Sequence, residues 1–159
     1  MRFEEFLKEE DPAYAIFDKC IDIVFEGSDG NTEIVDRISN EAKVVYLLCS
    51  FEGEIYNGGF DQFFFNSISD HSAEILNCLG IVGANKTKKL LEEAVSWFPN
   101  SMPSPDREER WKQLEEVENH EKYESEVDWL DTQFYKNEDN LSELINDYVK
   151  NNTEAQIVA

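Results

Sequence analysis

Apolar side chains in this sequence recur at steps of three and four residues, and no segment alternates at steps of two. A period near 3.6 belongs to the α-helix and a period of 2 to the half-buried strand. The pattern therefore predicts an all-α fold. Asp11-Pro12 opens the first helix, an N-cap acid ahead of a first-turn proline. Ala13, Ile16, Phe17, Cys20, Ile21 and Val24 then mark one buried face, and the turn residues from Gly27 to Asn31 stop it. A second helical stretch is predicted from about Thr32 to Tyr56, with a break near Ser39-Asn40. Its core stripe is Ile34, Val35, Ile38, Ala42, Val45, Cys49 and Tyr56. Val44 to Phe51 is apolar on nearly every side, so this helix is central. A buried strand is the alternative for that run, and the flanking periodicity favours helix.

Asn57-Gly58-Gly59 ends this helix and Phe60 to Asn66 reads as a short one. Ser69-Asp70 is expected to cap the next helix, through Ile75, Leu76 and Leu79. Gly80 and Gly83 punctuate the chain before Ala84 to Trp97, whose Leu90, Leu91, Ala94 and Val95 form another apolar face with Phe98. Pro99 to Pro105 is a loop. Helices from Asp106 to Val117, Lys122 to Tyr135 and Leu141 to Lys150 follow, with a frayed tail after Asn151. The expected organisation is one compact multi-helix domain, residues 1–159, with central helices as core and acidic helices outside. At 159 residues, 41% apolar and 13% aromatic, there is ample core material for it.

Charge narrows the function. Thirty-five acids against 14 bases give a net charge of −21, which repels nucleic acid and anionic membrane and favours a basic partner, cations, or simply solubility. Residues 1–30 carry 9 acids and 3 bases, 31–100 carry 10 and 5, and 101–159 carry 16 and 6. Acid thus gathers toward both ends while the middle supplies core. The start, Met1 to Glu5, has acids where a secretory signal needs an apolar run. The longest apolar stretch, Val44 to Cys49, is far short of a membrane span, and the expected address is the cytoplasm.

Chemistry-bearing motifs are few. Cys20, Cys49 and Cys78 stand alone within helical patterns, without a CxxC or Cys/His cluster. His71 and His120 are the two histidines, and neither adjoins a nucleophile motif. The acidic Gly segment Glu26 to Glu33 fails as a calcium loop, because placing Gly30 sixth puts Phe25 at the first ligand position. No catalytic residue, cofactor or metal ligand is predicted. The distinctive local string is Asn57-Gly58-Gly59-Phe60 with Gln62, Phe63, Phe64 and Asn66. It is predicted to be a fold motif: glycines for special backbone, aromatics for burial, and asparagines for helix ends.

That string, NGGFxQFFFN, with Leu79-Gly80, Gly83-Ala84, Leu90-Leu91 and Ala94 after it, resembles the bacterial DNA-mimic family over roughly residues 35–100. The resemblance implies a small all-helical domain. It also implies a chain that imitates DNA to occupy a transcription factor, or an immunity or antitoxin-like protein that blocks a basic toxin or nuclease. It supplies no binding residue, so those are read from the acids themselves. Side chains three and four apart on a helix stand about 5–6 Å from one another, a spacing comparable to that of phosphates along a strand. Glu121, Glu124, Asp128 and Asp131 step by three, four and three beside the apolar stripe Tyr123, Val127, Leu130 and Phe134. Asp18, Asp22 and Glu26 form a shorter row. Glu115 and Glu116, with Glu108, Glu109 and Glu118, form a third region. Bases ordinarily alternate with acids on solvated helix faces, and between Glu121 and Asp131 the sole base is Lys122, off the row. The sequence thus predicts a DNA mimic that binds a basic DNA-binding protein, such as a helix-turn-helix regulator, and competes with DNA. A homodimer is open, with Trp129, off its helix's main apolar stripe, as a candidate contact.

Overall fold

A computed structural model describes residues 1–27 and 32–159. Among them the chain forms seven α-helices and no β-strand: α1 (Pro12–Val24), α2 (Asn40–Phe65), α3 (Ser72–Ile81), α4 (Asn85–Val95), α5 (Arg107–Glu118), α6 (Tyr123–Tyr135) and α7 (Leu141–Asn151). Short 3-10 turns occupy Phe3–Phe6, Val35–Arg37, Ser67–His71 and Pro99–Ser101. The predicted turn at Gly27 to Asn31 and the rejected calcium loop fall largely outside the described residues. The run Val44 to Phe51 is helix, not strand.

The chain divides into two compact units, Met1–Cys49 with Ser142–Ala159, and Ser50–Leu141. In the first, Asp11 caps α1 by accepting from the Tyr14 N–H at 3.1 Å, and Asn146 of α7 accepts from the Ala13 N–H at 2.9 Å. Phe3, Ile16, Cys20, Val24, Ile38, Val45, Ile145, Val149 and Ile157 are buried here. The sequence places Ile34 in the core, but it is 39% exposed. Residues 32–34 are not helical, so the helical period does not extend to it.

The end of the chain departs from expectation. Residues 152–159, read as a frayed tail, are tied down by main-chain hydrogen bonds. Phe3 N–H donates to Ala155 at 2.9 Å, Ser39 N–H to Ile157 at 2.8 Å, and Ile157 N–H to Met1 at 3.0 Å. Ile157 is fully buried. Burying an aliphatic side chain of this size contributes about 2 kcal/mol, which is what a polar-looking terminal segment conceals.

In the second unit α2 continues past a break. Gly58 and Gly59 leave helical geometry, and Gly59 takes φ +74°, a region glycine enters at no steric cost. The predicted helix end at Asn57-Gly58-Gly59 is therefore a corner between two helical segments. Glu54 spans it by accepting from the Gln62 amide at 2.7 Å and the Asn66 amide at 2.9 Å. Phe60, Phe63 and Phe64 are fully buried beyond it, with Phe51 edge-on to Phe63 at 5.1 Å and to Phe134 at 5.6 Å. The glycines and phenylalanines thus take the places expected of them, whereas the asparagines do not serve helix ends through their side chains: Asn57 is exposed, and the Asn66 amide is spent on Glu54. Tyr56, predicted as core, is 47% exposed.

Arg110 of α5 is wholly buried. Its guanidinium donates to the carbonyls of Phe64 at 2.8 Å, Ser104 at 2.8 Å and Asn66 at 3.1 Å, and it pairs with Asp70 at 2.7 Å. It thereby satisfies carbonyls that the end of α2 leaves without helical partners. Ser69 and Asp70 consequently do not cap α3. The Ser69 hydroxyl donates to Phe64 and Asn66 carbonyls, and Asp70 serves the arginine.

Candidate functional site

The acidic positions separate into two groups, one in each unit. On α1, Asp18 and Asp22 are exposed, but Asp22 lies 3.6 Å from Lys19. Glu26 falls beyond the end of the helix at Val24, so the three do not continue one helical row. The second group is more coherent. Glu115, Glu116 and Glu118 occupy the last turn of α5, Glu121 stands on the connecting turn, and Glu124, Asp128 and Asp131 lie along α6. Helix α6 starts at Tyr123 rather than Lys122, so the helical spacing applies to Glu124, Asp128 and Asp131 and leaves Glu121 to the turn.

All of these carboxylates are exposed except Asp131, which is half-buried. Among the described residues, no Lys or Arg nitrogen comes within 4.0 Å of any of them; the ion pairs of this unit are Lys86–Glu138 and Arg110–Asp70, with His71 near Glu74. From Glu115 to Asp131 the sequence holds eight acids and one base, Lys122. The last turns of α5 and α6 also lack basic residues, although a helix C-terminus carries partial negative charge and is stabilised by cations. At the end of α5, Glu115, Glu116 and Glu118 are therefore a local cost.

The carboxylates feel one another. Burial, then Asp61 and Glu115, raise the Glu118 carboxyl above its ordinary value of 4.5. Burial raises Asp131 above 3.8, with Asp61 and Asp128 adding to it, while a hydrogen bond from the Phe60 N–H opposes the shift. That bond is 2.9 Å long. A side chain on Gly59 would place its Cβ 2.3 Å from an Asp131 oxygen, so the glycine leaves room for the carboxylate to reach the backbone. Tyr123, buried behind this cluster, donates to Asp61 at 2.6 Å, and burial followed by that bond and the nearby acids pushes its phenol up strongly.

Asp61 thus belongs with the acidic face although its place in FDQFFFN gives no charge-row signal. The link to Tyr123 spans 62 residues and follows no local period. Burial pushes the Cys20 thiol up to about 12, and burial with Glu74 pushes Cys78 to about 11, so both stay protonated at neutral pH. Among the described residues, no group of three His, Cys, Asp or Glu side chains is arranged to hold a metal, and no helix is long and apolar enough to cross a membrane.

An all-helical chain with an unneutralised carboxylate face falls in the class of small acidic helical proteins. Within that class, the profile of a family described as DMP19-like protein matches residues 36–152, and the chain belongs to this DNA-mimic family. The match includes α2 to α6 and the whole acidic face just described. No curated protein and no solved structure matches the chain.

Proposed function

We propose that this protein binds a basic DNA-binding protein, such as a helix-turn-helix regulator, by presenting the carboxylates of α5 and α6 where that partner would meet phosphates, and so competes with DNA. The observation that carries this reading is the run Glu115 to Asp131, whose carboxylates have no lysine or arginine nitrogen within 4.0 Å among the described residues. Mutually repelling anions on a folded scaffold are ready for a cationic surface. The repulsion is relieved on docking, and little ordering is required because most of them stand on helices. Membership of a DNA-mimic family supports a DNA-binding protein as the partner class. Asp18, Asp22 and Glu26 contribute to the approach field rather than to the contact, given Lys19 beside Asp22.

The test starts with capture of partners from the native host and displacement of the captured protein by duplex DNA. The wild type and a variant carrying Glu115→Gln, Glu116→Gln, Glu124→Gln and Asp128→Asn are then titrated against that partner at rising salt. The neutralised variant is expected to bind at least tenfold more weakly, on the order of 1.4 kcal/mol, with a shallower salt dependence. Wild-type affinity that stays constant from low to high salt, or a partner that duplex DNA leaves in place, refutes the mechanism.

A further inference from the structure

The spacing of the acids on α6 continues beyond them. Glu124, Asp128 and Asp131 step by four and three, and the next position four residues on is Tyr135. Its ring stacks on that of Tyr56 with centroids 5.9 Å apart and planes 21° from parallel. Both residues are 47% exposed. They are not loose: Tyr56 meets buried Phe134 edge-on at 5.4 Å, and the Tyr135 hydroxyl donates to the Ile55 carbonyl at 3.2 Å. Two anchored aromatic faces therefore stand open at one end of a carboxylate row.

We propose that the Tyr56–Tyr135 pair is the anchor of the partner-binding surface and takes an arginine side chain, the neighbouring row holding the rest of a basic segment. The proposal rests on the reading of α5 and α6 as a surface for a basic protein. Charge complementarity selects a cationic occupant. The aromatic faces then select arginine over lysine, because a planar, weakly hydrated guanidinium stacks on a ring while an ammonium keeps its water. Tyrosine is also enriched at the few interface positions that dominate binding, since it offers large contact area with little rotamer entropy to lose. Asp131 sits one helical turn before Tyr135 and adds its negative field to that ring. Carboxylates already take a guanidinium in a two-point fork, and the aromatic platform adds a stacking face that an ammonium does not use.

The probes are an oligoarginine and an oligolysine peptide of equal length, titrated against the full chain at one ionic strength. The wild type is expected to bind the arginine peptide about fivefold more tightly than the lysine peptide. A Tyr56→Leu, Tyr135→Leu variant should lose most of that preference while keeping its affinity for oligolysine. A Tyr56→Phe, Tyr135→Phe variant should keep the preference, because ring faces and not hydroxyls carry it, and its retention also shows that the site survives substitution. Equal wild-type affinity for the two peptides, or a preference that persists undiminished in the leucine variant, overturns the proposal. Failure of the underlying reading has a different signature. If the variant with Glu115, Glu116, Glu124 and Asp128 neutralised binds both peptides as the wild type does, the acidic face is not the binding surface at all.

Discussion

At the scale of single residues, Asp131 has opposing obligations. Its carboxylate receives the Phe60 N–H at 2.9 Å and at the same time lies in the field of Asp61 and Asp128. Replacing it by Asn keeps an oxygen for that N–H and removes the repulsion, so Asp131→Asn should leave stability unchanged or raise it by up to about 1 kcal/mol. Asp131→Ala should instead cost about 1–2 kcal/mol, because the backbone donor next to the glycine corner loses its partner. Chemical denaturation of the two variants beside the wild type separates these outcomes; equal losses in both show that the carboxylate's charge, not its acceptor oxygen, is what the corner needs. The sequence shows Asp131 as one member of a charged row, since its spacing from Glu124 and Asp128 is local. Its inward bond joins residues 71 apart, and no periodicity carries such information.

At the scale of elements, the corner in α2 and the arginine beyond it define the second unit. Asn57-Gly58-Gly59 is readable as a breaker, and the phenylalanines after it as core, because both follow from residue type. Arg110 is not readable in the same way. It sits in Arg107–Lys112, where acids, bases and one tryptophan follow one another without a clear apolar face, so nothing local says which side chain turns inward. Substitution by Met preserves volume and strands both Asp70 and the carbonyls of Phe64 and Asn66. Arg110→Met is expected to lower unfolding free energy by about 3–5 kcal/mol, as measured by urea unfolding, and a loss under about 1 kcal/mol would show that the arginine is not holding the end of α2. The same limit on local reading explains Ile34 and Tyr56. Both carry apolar bulk at roughly helical spacing, yet one precedes the helix and the other reaches its exposed side just before the corner.

For the whole molecule, the excess of 35 acids over 14 bases is a standing electrostatic load on the native state. Glu118 and Asp131 carry part of it: burial first, and then neighbouring acids, raise both carboxyls. Both bind a proton more tightly when folded than their ordinary values of 4.5 and 3.8 allow. The stability they contribute is fully present below those values and is lost as pH rises through the raised ones. Melting temperature should therefore climb on mild acidification from pH 7 to about pH 5, and also climb with added salt at pH 7, where screening weakens repulsion between exposed carboxylates. Thermal melts across pH and salt check both; a melting temperature that drops on going to about pH 5 means that lost ion pairs outweigh relieved repulsion. Net charge, helical class and the acidic end of the chain were all legible because they are sums and periods. The partition into units and the docking of residues 152–159 were not, because they depend on pairings between distant segments.

Those terminal pairings bear on how the protein is made. Met1 and Phe3 hydrogen-bond to Ile157 and Ala155, so the unit that holds Met1–Cys49 is completed only by Ser142–Ala159, on the far side of the other unit in sequence, whereas Ser50–Leu141 is one uninterrupted stretch. At elongation rates of about 5–20 residues per second, Ser50–Leu141 can close on itself while α1 still waits for Asn146 of α7, the acceptor of its Ala13 N–H, to be made.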